Sequence, residues 1–420
     1  MTALVLVGVA VVAVLAVKRV VVGVLAAFVA FVFVPEATSA ALTGGLNLGA
    51  LVVLAVATLQ LATRLPQYLA DLTAAPALSV VGSVFVAGAA VTAAADSAAV
   101  AGPFLTTVVT PPLGYLLVQR AVKEDRRAGR LLGHTVLGLA TIEAGVSLAV
   151  QIGALRQPYL DAFEEAYWWT PDFQRALGTM DHPLTLGLFL AAALPLATGL
   201  RLDRTAGAVC LLLLCTIVAT QSRAALVAGL LGLIGVVARR RMPFLHGAAV
   251  LTAGAAAVMV ILAVSPSLLV DFAAKLADDD GSADARFTGI TVGLPAAFAS
   301  PLLGGGADEA TETARDLGLG TSFENPLIMI ALDWGALPAV ALVASQVMML
   351  LRARSGTSVP GGAMTAAVVV VCAETFSSIA VPGGLPTLAC MLAGFAIEGV
   401  DSTARQQECR PSADELRAIR

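Results

Sequence analysis

Charge is scarce in this chain. Only 13% of its 420 residues are Asp, Glu, Lys or Arg, about half of the ~25% usual in a soluble domain. With 58% hydrophobic residues and a mean hydropathy of +0.88, too little polar surface remains to face water on all sides, so an ordinary soluble fold is excluded. Histidine occurs three times and cysteine five times. Cys210, Cys215, Cys372 and Cys390 fall in apolar runs and Cys409 lies near the C-terminus, a pattern that offers neither a disulfide framework nor metal-ligand spacing. The formal net charge is -4 and no basic surface is apparent, which argues against a nucleic-acid partner. Short alternating segments are missing as well, which argues against a β-barrel.

What is present is a succession of apolar runs, most of them long enough to cross a ~30 Å hydrocarbon core as helices. The expected fold class is an all-α integral membrane protein in a lipid bilayer. Met1 to Val34 is apolar except for Lys18-Arg19 and lacks a basic leader and a clear cleavage site, so it reads as retained helix, either one long span or two short ones. Further runs lie at about 47–63, 77–95, 99–118, 133–153, 183–200, 205–220, 223–239, 243–264, 326–351, 362–380 and 385–399. That makes twelve spans, or thirteen if the N-terminal run is two helices.

Lys123, Arg126 and Arg127 mark the cytoplasmic side, and this is the only role they need. Counting helices forward from them puts Arg201 and Arg204, Arg239 to Arg241, and Arg352 and Arg354 on the same side. The organisation expected is N-terminal transmembrane helices over 1–264, a large extracytoplasmic loop over 265–325, C-terminal transmembrane helices over 326–400, and a cytoplasmic tail over 401–420. The loop is longer than the ~15 residues beyond which a connection is usually functional or disordered. Its apolar patch from Phe287 to Phe298 predicts that it is folded.

Several ionisable residues collect at the extracytoplasmic ends of these runs: Arg175, His182, Arg223, Arg286 and Glu324. Positive residues are under-used on that side, and ionisable groups beside spans mark function by default. Glu143 and Glu374 lie inside apolar runs, and Glu374 reads as a second-tier candidate that pairs with a neighbouring helix or a buried arginine. Other features have plainer readings. Asp278-Asp279-Asp280 is a solvated run. Asp181 or His182 caps the helix that Pro183 begins. Gly304-Gly305-Gly306 is either a turn or a cradle of backbone NH groups for phosphate. Trp168 and Trp169 are interface anchors or sugar-stacking platforms.

Thr220-Gln221-Ser222-Arg223-Ala224-Ala225 resembles the "T-x-SRG/A" signature of the O-antigen ligase and polymerase family of polytopic membrane glycosyltransferases, which are of the C-type glycosyltransferase kind. Arg175, Gly178, His182 and Pro183 resemble the upstream "R-x-x-G-x-x-x-HP" element. Arg286 followed by Pro301-Leu302-Leu303-Gly304-Gly305-Gly306 resembles "R … PLxGxG". Glu324-Asn325-Pro326-Leu327, continuing to Asp333-Trp334-Gly335, resembles "HN-x-x-L … E-x-G-x-x-G". The pieces come in the family's order over about residues 140–399.

The resemblance implies transfer of a glycan from an undecaprenyl-diphosphate carrier to an acceptor hydroxyl on a glycan, lipid or protein. This would occur at the extracytoplasmic face of the bacterial inner membrane, without nucleotide sugar, metal or other cofactor. It implies Arg223 and Arg286 as stabilisers of the diphosphate leaving group, with Arg175, His182, Ser222, Asn325, Gly304 and Gly306 binding substrate. The guanidinium fork suits phosphate oxygens. Where the family has histidine before asparagine this chain has Glu324, which either takes over as general base or has no catalytic part. A base opposite the leaving group would invert configuration. Ligase and polymerase are not separable here. A flippase for lipid-linked oligosaccharide and a non-catalytic family member stay open beside them.

Overall fold

The computed structural model describes residues 2–43, 45–95, 100–164, 175–201, 203–239, 287–299, 302–319, 322–353 and 359–396. Among these residues all regular structure is helical. The run at 243–264, Tyr167 to Trp169, Asp278 to Asp280, Arg286, Pro301 and the tail over 401–420 lie outside them.

Helices α1 (Thr2–Lys18) and α2 (Val20–Phe33) are separated at Arg19, whose backbone is extended (φ -143°, ψ 98°). They fold back on one another, since a Cβ placed on Gly23 would lie 3.0 Å from the Cβ of Ala16. Seven residues of continuous helix would separate the two by ~10 Å. The N-terminal run is therefore two helices, turning at its only basic pair. Beyond Phe33 the chain bends by 117° into α3 (Glu36–Thr43).

Helices α4 (Leu48–Thr73), α5 (Pro76–Ala95), α6 (Ala101–Glu124) and α7 (Arg126–Gln151) are long and apolar enough to cross a membrane. They form a basic end of the bundle. Arg64 bonds Glu124 and the Val17 carbonyl, Arg120 reaches Asp71 at 3.4 Å, and Lys123 reaches Asp71 at 2.9 Å. The turn between α1 and α2 is tied to this end.

After α8 (Leu160–Glu164), α9 (Pro183–Ala193) tightens into a 3₁₀ stretch at Leu194–Gly199. It packs against α10 (Asp203–Ala219) and α11 (Arg223–Arg239). Within the expected loop, α12 (Gly289–Ala299), which overlaps the Phe287–Phe298 patch, and α13 (Glu309–Asp316) are helical. The single helix expected from Pro326 to Leu351 is instead broken. Gly335 takes φ +111°, dividing α14 (Pro326–Trp334) from α15 (Ala336–Ala353), and α15 alone is span-length. Helices α16 (Gly362–Ala373) and α17 (Leu385–Ala393) complete the described bundle.

Two cores result. The larger gathers buried residues of α1, α2, α4, α6, α7, α9, α10, α11, α16 and α17. The smaller joins α5, α12, α13, α14 and α15 around Phe323, Ile328 and Trp334. Each core carries one corner of the candidate site.

Candidate functional site

The first corner forms where the segment 175–182 docks on the turn between α10 and α11. Arg175 donates from Nε to the Thr220 carbonyl at 2.9 Å, and the Ala176 NH donates to the Ala219 carbonyl at 2.9 Å. The turn is tight, with Gln221 in the left-handed region at φ 53°. Such a conformation costs a non-glycine residue ~1–3 kcal/mol and clusters at functional sites. Thr220 Oγ1 accepts from the Ser222 NH, and Ser222 Oγ accepts from the Ala225 NH at 3.3 Å, capping α11. Thr220, Gln221 and Ser222 are buried, while Arg223, the first residue of α11, is half-buried. Burial pushes the Arg175 guanidinium down to about 10, so it stays charged at neutral pH.

The rest of the segment is fixed from below and from the side. Gly178 sits at φ +62°, and a Cβ there would lie 2.2 Å from Glu143 Oε2 on α7. Glu143 is fully buried and accepts from the Thr179 NH at 2.9 Å. Gln157 donates to the Gly178 carbonyl at 2.7 Å. It also lines an open cleft of roughly 390 Å³ with Arg156, Tyr159, Leu160, Asp161 and Ala162. Asp181 accepts from the Glu36 NH at the α2–α3 bend, and Glu36 in turn accepts from the Gly384 NH at 3.2 Å. Burial, reinforced by the charge of Glu36, pushes the Asp181 carboxyl up to about 8. His182 is the cap of α9, its Nδ1 accepting from the Leu184 NH at 3.1 Å, with Pro183 in the first turn.

The second corner is built largely from backbone. Asn325 caps α14, its Oδ1 accepting from the NH groups of Leu327 at 3.1 Å and Ile328 at 3.2 Å. Glu324 precedes it at φ 55°, its NH held by Ser322 Oγ at 3.4 Å. Phe323 is fully buried against α12, the helix that begins shortly after Arg286. At the other end of α14 the glycine turn closes over the helix break. The Gly304 NH donates to Thr92 Oγ1 at 3.3 Å, the Gly305 NH to the Leu332 carbonyl at 2.8 Å, and the Gly306 NH to the Asp333 carbonyl at 3.1 Å. All three amides are thereby engaged with protein oxygens. Asp333 Oδ1 accepts from the Ala310 NH at 2.8 Å, placing a carboxylate at the N-terminus of α13.

Among the described residues no three His, Cys, Asp or Glu side chains are grouped as a metal ion would require. Residues 208–336 match a family model described as O-antigen ligase. This match supports membership of the O-antigen ligase family. No curated protein and no solved structure matches the chain. The family acts in glycan transfer during polysaccharide assembly, and the apolar helices described above are those of a multi-pass membrane protein.

The matched interval contains the Thr220–Arg223 turn and the whole second corner. It stops short of Arg175–His182, which the structure nevertheless bonds directly to the turn. The residues that the sequence did not single out are Glu36, Thr179 and Thr92, while Asp181, offered as an alternative cap of α9, bonds Glu36 instead. Glu143 shows in the sequence only as a charge inside an apolar run, and Glu374, its counterpart on the C-terminal side, hydrogen-bonds Gln346 of α15.

Proposed function

We propose that this member of the O-antigen ligase family transfers a glycan from an undecaprenyl-diphosphate carrier to an acceptor hydroxyl on the extracytoplasmic face of the bacterial plasma membrane, as ligase or polymerase. The observation that carries the reading is the bond from Arg175 to the Thr220 carbonyl. It brings two separate motif segments, each with an arginine, to the N-terminus of α11. The N-terminus of a 17-residue helix carries a partial positive charge, which favours phosphate. Arg223 adds a guanidinium in the first turn of that helix, and Arg175 adds a second, half-buried one from the docked segment.

The diphosphate gains charge as the anomeric carbon leaves it. Cations already in place stabilise that charge without reorganising at the moment of reaction. Arg286 joins them from the loop, and Glu324 takes the proton of the acceptor hydroxyl as it attacks from the opposite side, inverting configuration. The arginines take the part that a metal ion plays elsewhere, so the reading needs no metal. The basic end of the bundle faces the cytoplasm in this orientation, and taking the N-terminal run as two spans corresponds to the thirteen-span reading of the sequence.

The test is transfer in membranes carrying the full chain. Arg223→Ala and Arg286→Ala each lower transfer by ~100-fold or more, the scale of losing one preorganised charge partner. Lysine at either position restores little because the fork is lost. Glu324→Gln is silent and Glu324→His active. A deletion strain accumulates lipid-linked glycan outside while its surface polymer is lost. Full transfer by either alanine variant overturns the diphosphate assignment, and intermediates accumulating on the cytoplasmic side point to a flippase instead.

A further inference from the structure

Thr179 holds an unbalanced hydrogen-bond count that reveals how Glu143 works. The Thr179 hydroxyl lies 2.7 Å from the Val32 carbonyl of α2 and 2.6 Å from Glu143 Oε1 of α7, while Glu143 Oε2 accepts from the Thr179 NH at 2.9 Å. A hydroxyl has one hydrogen and two lone pairs. The Val32 oxygen is an acceptor only, so the single hydroxyl hydrogen belongs to that contact. The contact at 2.6 Å then joins two oxygens and needs its hydrogen from residue 143. An ionised carboxylate would leave two acceptors facing each other in a site where Glu143 is fully buried and Thr179 is 8% exposed. Leaving such a pair unbonded costs the whole desolvation of the groups involved.

We infer that Glu143 is a positioning residue, acting as a neutral hydrogen-bond donor and acceptor that clamps Gly178-Thr179 between α2 and α7 and so sets the position of Arg175 on the α10–α11 turn. The chain of donation runs from Glu143 Oε1 to Thr179 Oγ1 to the Val32 carbonyl, with the Thr179 NH returning to Glu143 Oε2. Gly178 is the residue that allows this approach, because any side chain there would meet the carboxyl at 2.2 Å. Glu143 lies eight residues before the end of α7, ~12 Å at 1.5 Å per residue, so the clamp reaches below the rim and ties it to two membrane helices. Helix α2 and Glu143 both lie outside the family-model match at 208–336. The clamp thus supports the matched turn from outside the matched interval. For the consequence in Arg175, the inference rests on the diphosphate reading above.

Glutamine keeps the geometry of a neutral donor and acceptor, so the decisive comparison is Glu143→Gln against Glu143→Ala and Thr179→Val. Each full-length variant is reconstituted in vesicles and assayed for thermal unfolding and for binding of unsubstituted undecaprenyl diphosphate. Glu143→Gln is expected to match the wild type in both. Glu143→Ala and Thr179→Val are expected to weaken carrier binding by about tenfold or more, within the 100-fold that a misplacement of ~1 Å can cost. If glutamine behaves like alanine in thermal unfolding, the neutral clamp is overturned, whether or not the carrier binds. If the carrier binds wild type and Glu143→Ala equally while Arg223→Ala abolishes binding, the positioning role is overturned and the diphosphate reading stands. If the wild type binds no carrier, the diphosphate reading fails, and the glutamine comparison in unfolding still decides the clamp.

Discussion

The two corners of the candidate site are held by different means. Around Thr220–Arg223 the fixing contacts come from side chains: Arg175, Glu143, Thr179, Asp181 and Ser222 each carry a bond that crosses to another element or caps a helix. Around Gly304–Gly335 main chain carries more of the load, with the Gly305 and Gly306 amides bonded to carbonyls at the end of α14 and the Gly304 amide to the Thr92 hydroxyl. A backbone contact is indifferent to side-chain chemistry but demands space, and a side-chain contact the reverse. The first corner is therefore expected to fail through substitutions that change charge or hydrogen-bonding capacity, and the second through substitutions that merely add volume.

The sharpest way to break this contrast is at Gly304. A Cβ there would lie 2.2 Å from the Asp333 carbonyl oxygen and 2.5 Å from the Trp334 nitrogen, both backbone atoms of the helix break. Gly304→Ala should destabilise by ~3 kcal/mol, the upper range for overpacking, and read out as a lowered unfolding midpoint of the detergent-extracted protein. Gly305→Ala is the control, because the atoms it meets, from 2.5 Å, belong to the Glu309 side chain, which can swing aside. A loss well under 1 kcal/mol is expected there. Equal losses at both positions would remove the distinction between backbone and side-chain crowding.

At the first corner the corresponding handle is charge. Asp181 titrates near 8 when folded, against an ordinary value of 3.8. Between those values the unfolded chain has released a proton that the folded chain keeps, so stability falls as pH rises. The fall continues up to the folded value and levels off above it. The slope is bounded by about 1.4 kcal/mol per pH unit for one group. Asp181→Asn keeps an acceptor for the Glu36 NH and carries no titrating proton, so its unfolding midpoint should be flatter between pH 5 and 8. An unchanged profile would mean that another group governs the pH response.

The sequence makes the membrane class, the apolar runs and the basic end legible because each depends on composition over many residues. It also offered His182, beside Asp181, as the cap of the helix that Pro183 begins, whereas Ser222 and Asn325, expected to bind substrate, are found capping α11 and α14. What stayed hidden were the contacts between distant segments. Glu36 and Asp181 are 145 residues apart, and Thr92 lies 242 residues from the Trp334 carbonyl it bonds at 3.0 Å. Nothing in the local pattern around Thr92 distinguishes it from an ordinary threonine in an apolar helix. The break at Gly335 was hidden too, because Pro326 to Leu351 carries a single charge, Asp333, and hydropathy does not register a single residue at positive φ. The same glycine-rich turn that could have cradled phosphate proves to have its amides occupied by that break.

The smallest difference between the corners is in their caps. Ser222 offers α11 one bond, at 3.3 Å, whereas Asn325 offers α14 two, at 3.1 and 3.2 Å. Removing a cap costs ~0.5–2 kcal/mol, so Asn325→Ala should lie near 1 kcal/mol and Ser222→Ala near the lower bound, measured by unfolding under identical conditions. Asparagine and aspartate cap about equally well, which allows a second comparison at the same residue. Asn325→Asp keeps an oxygen for both cap bonds and replaces the amide NH₂ by a second carboxylate oxygen with a negative charge. If it unfolds like the wild type but transfers glycan more slowly, the site needs a neutral amide beside Glu324. If both stability and transfer match the wild type, Asn325 serves the helix alone, and the second corner's chemistry rests on Glu324.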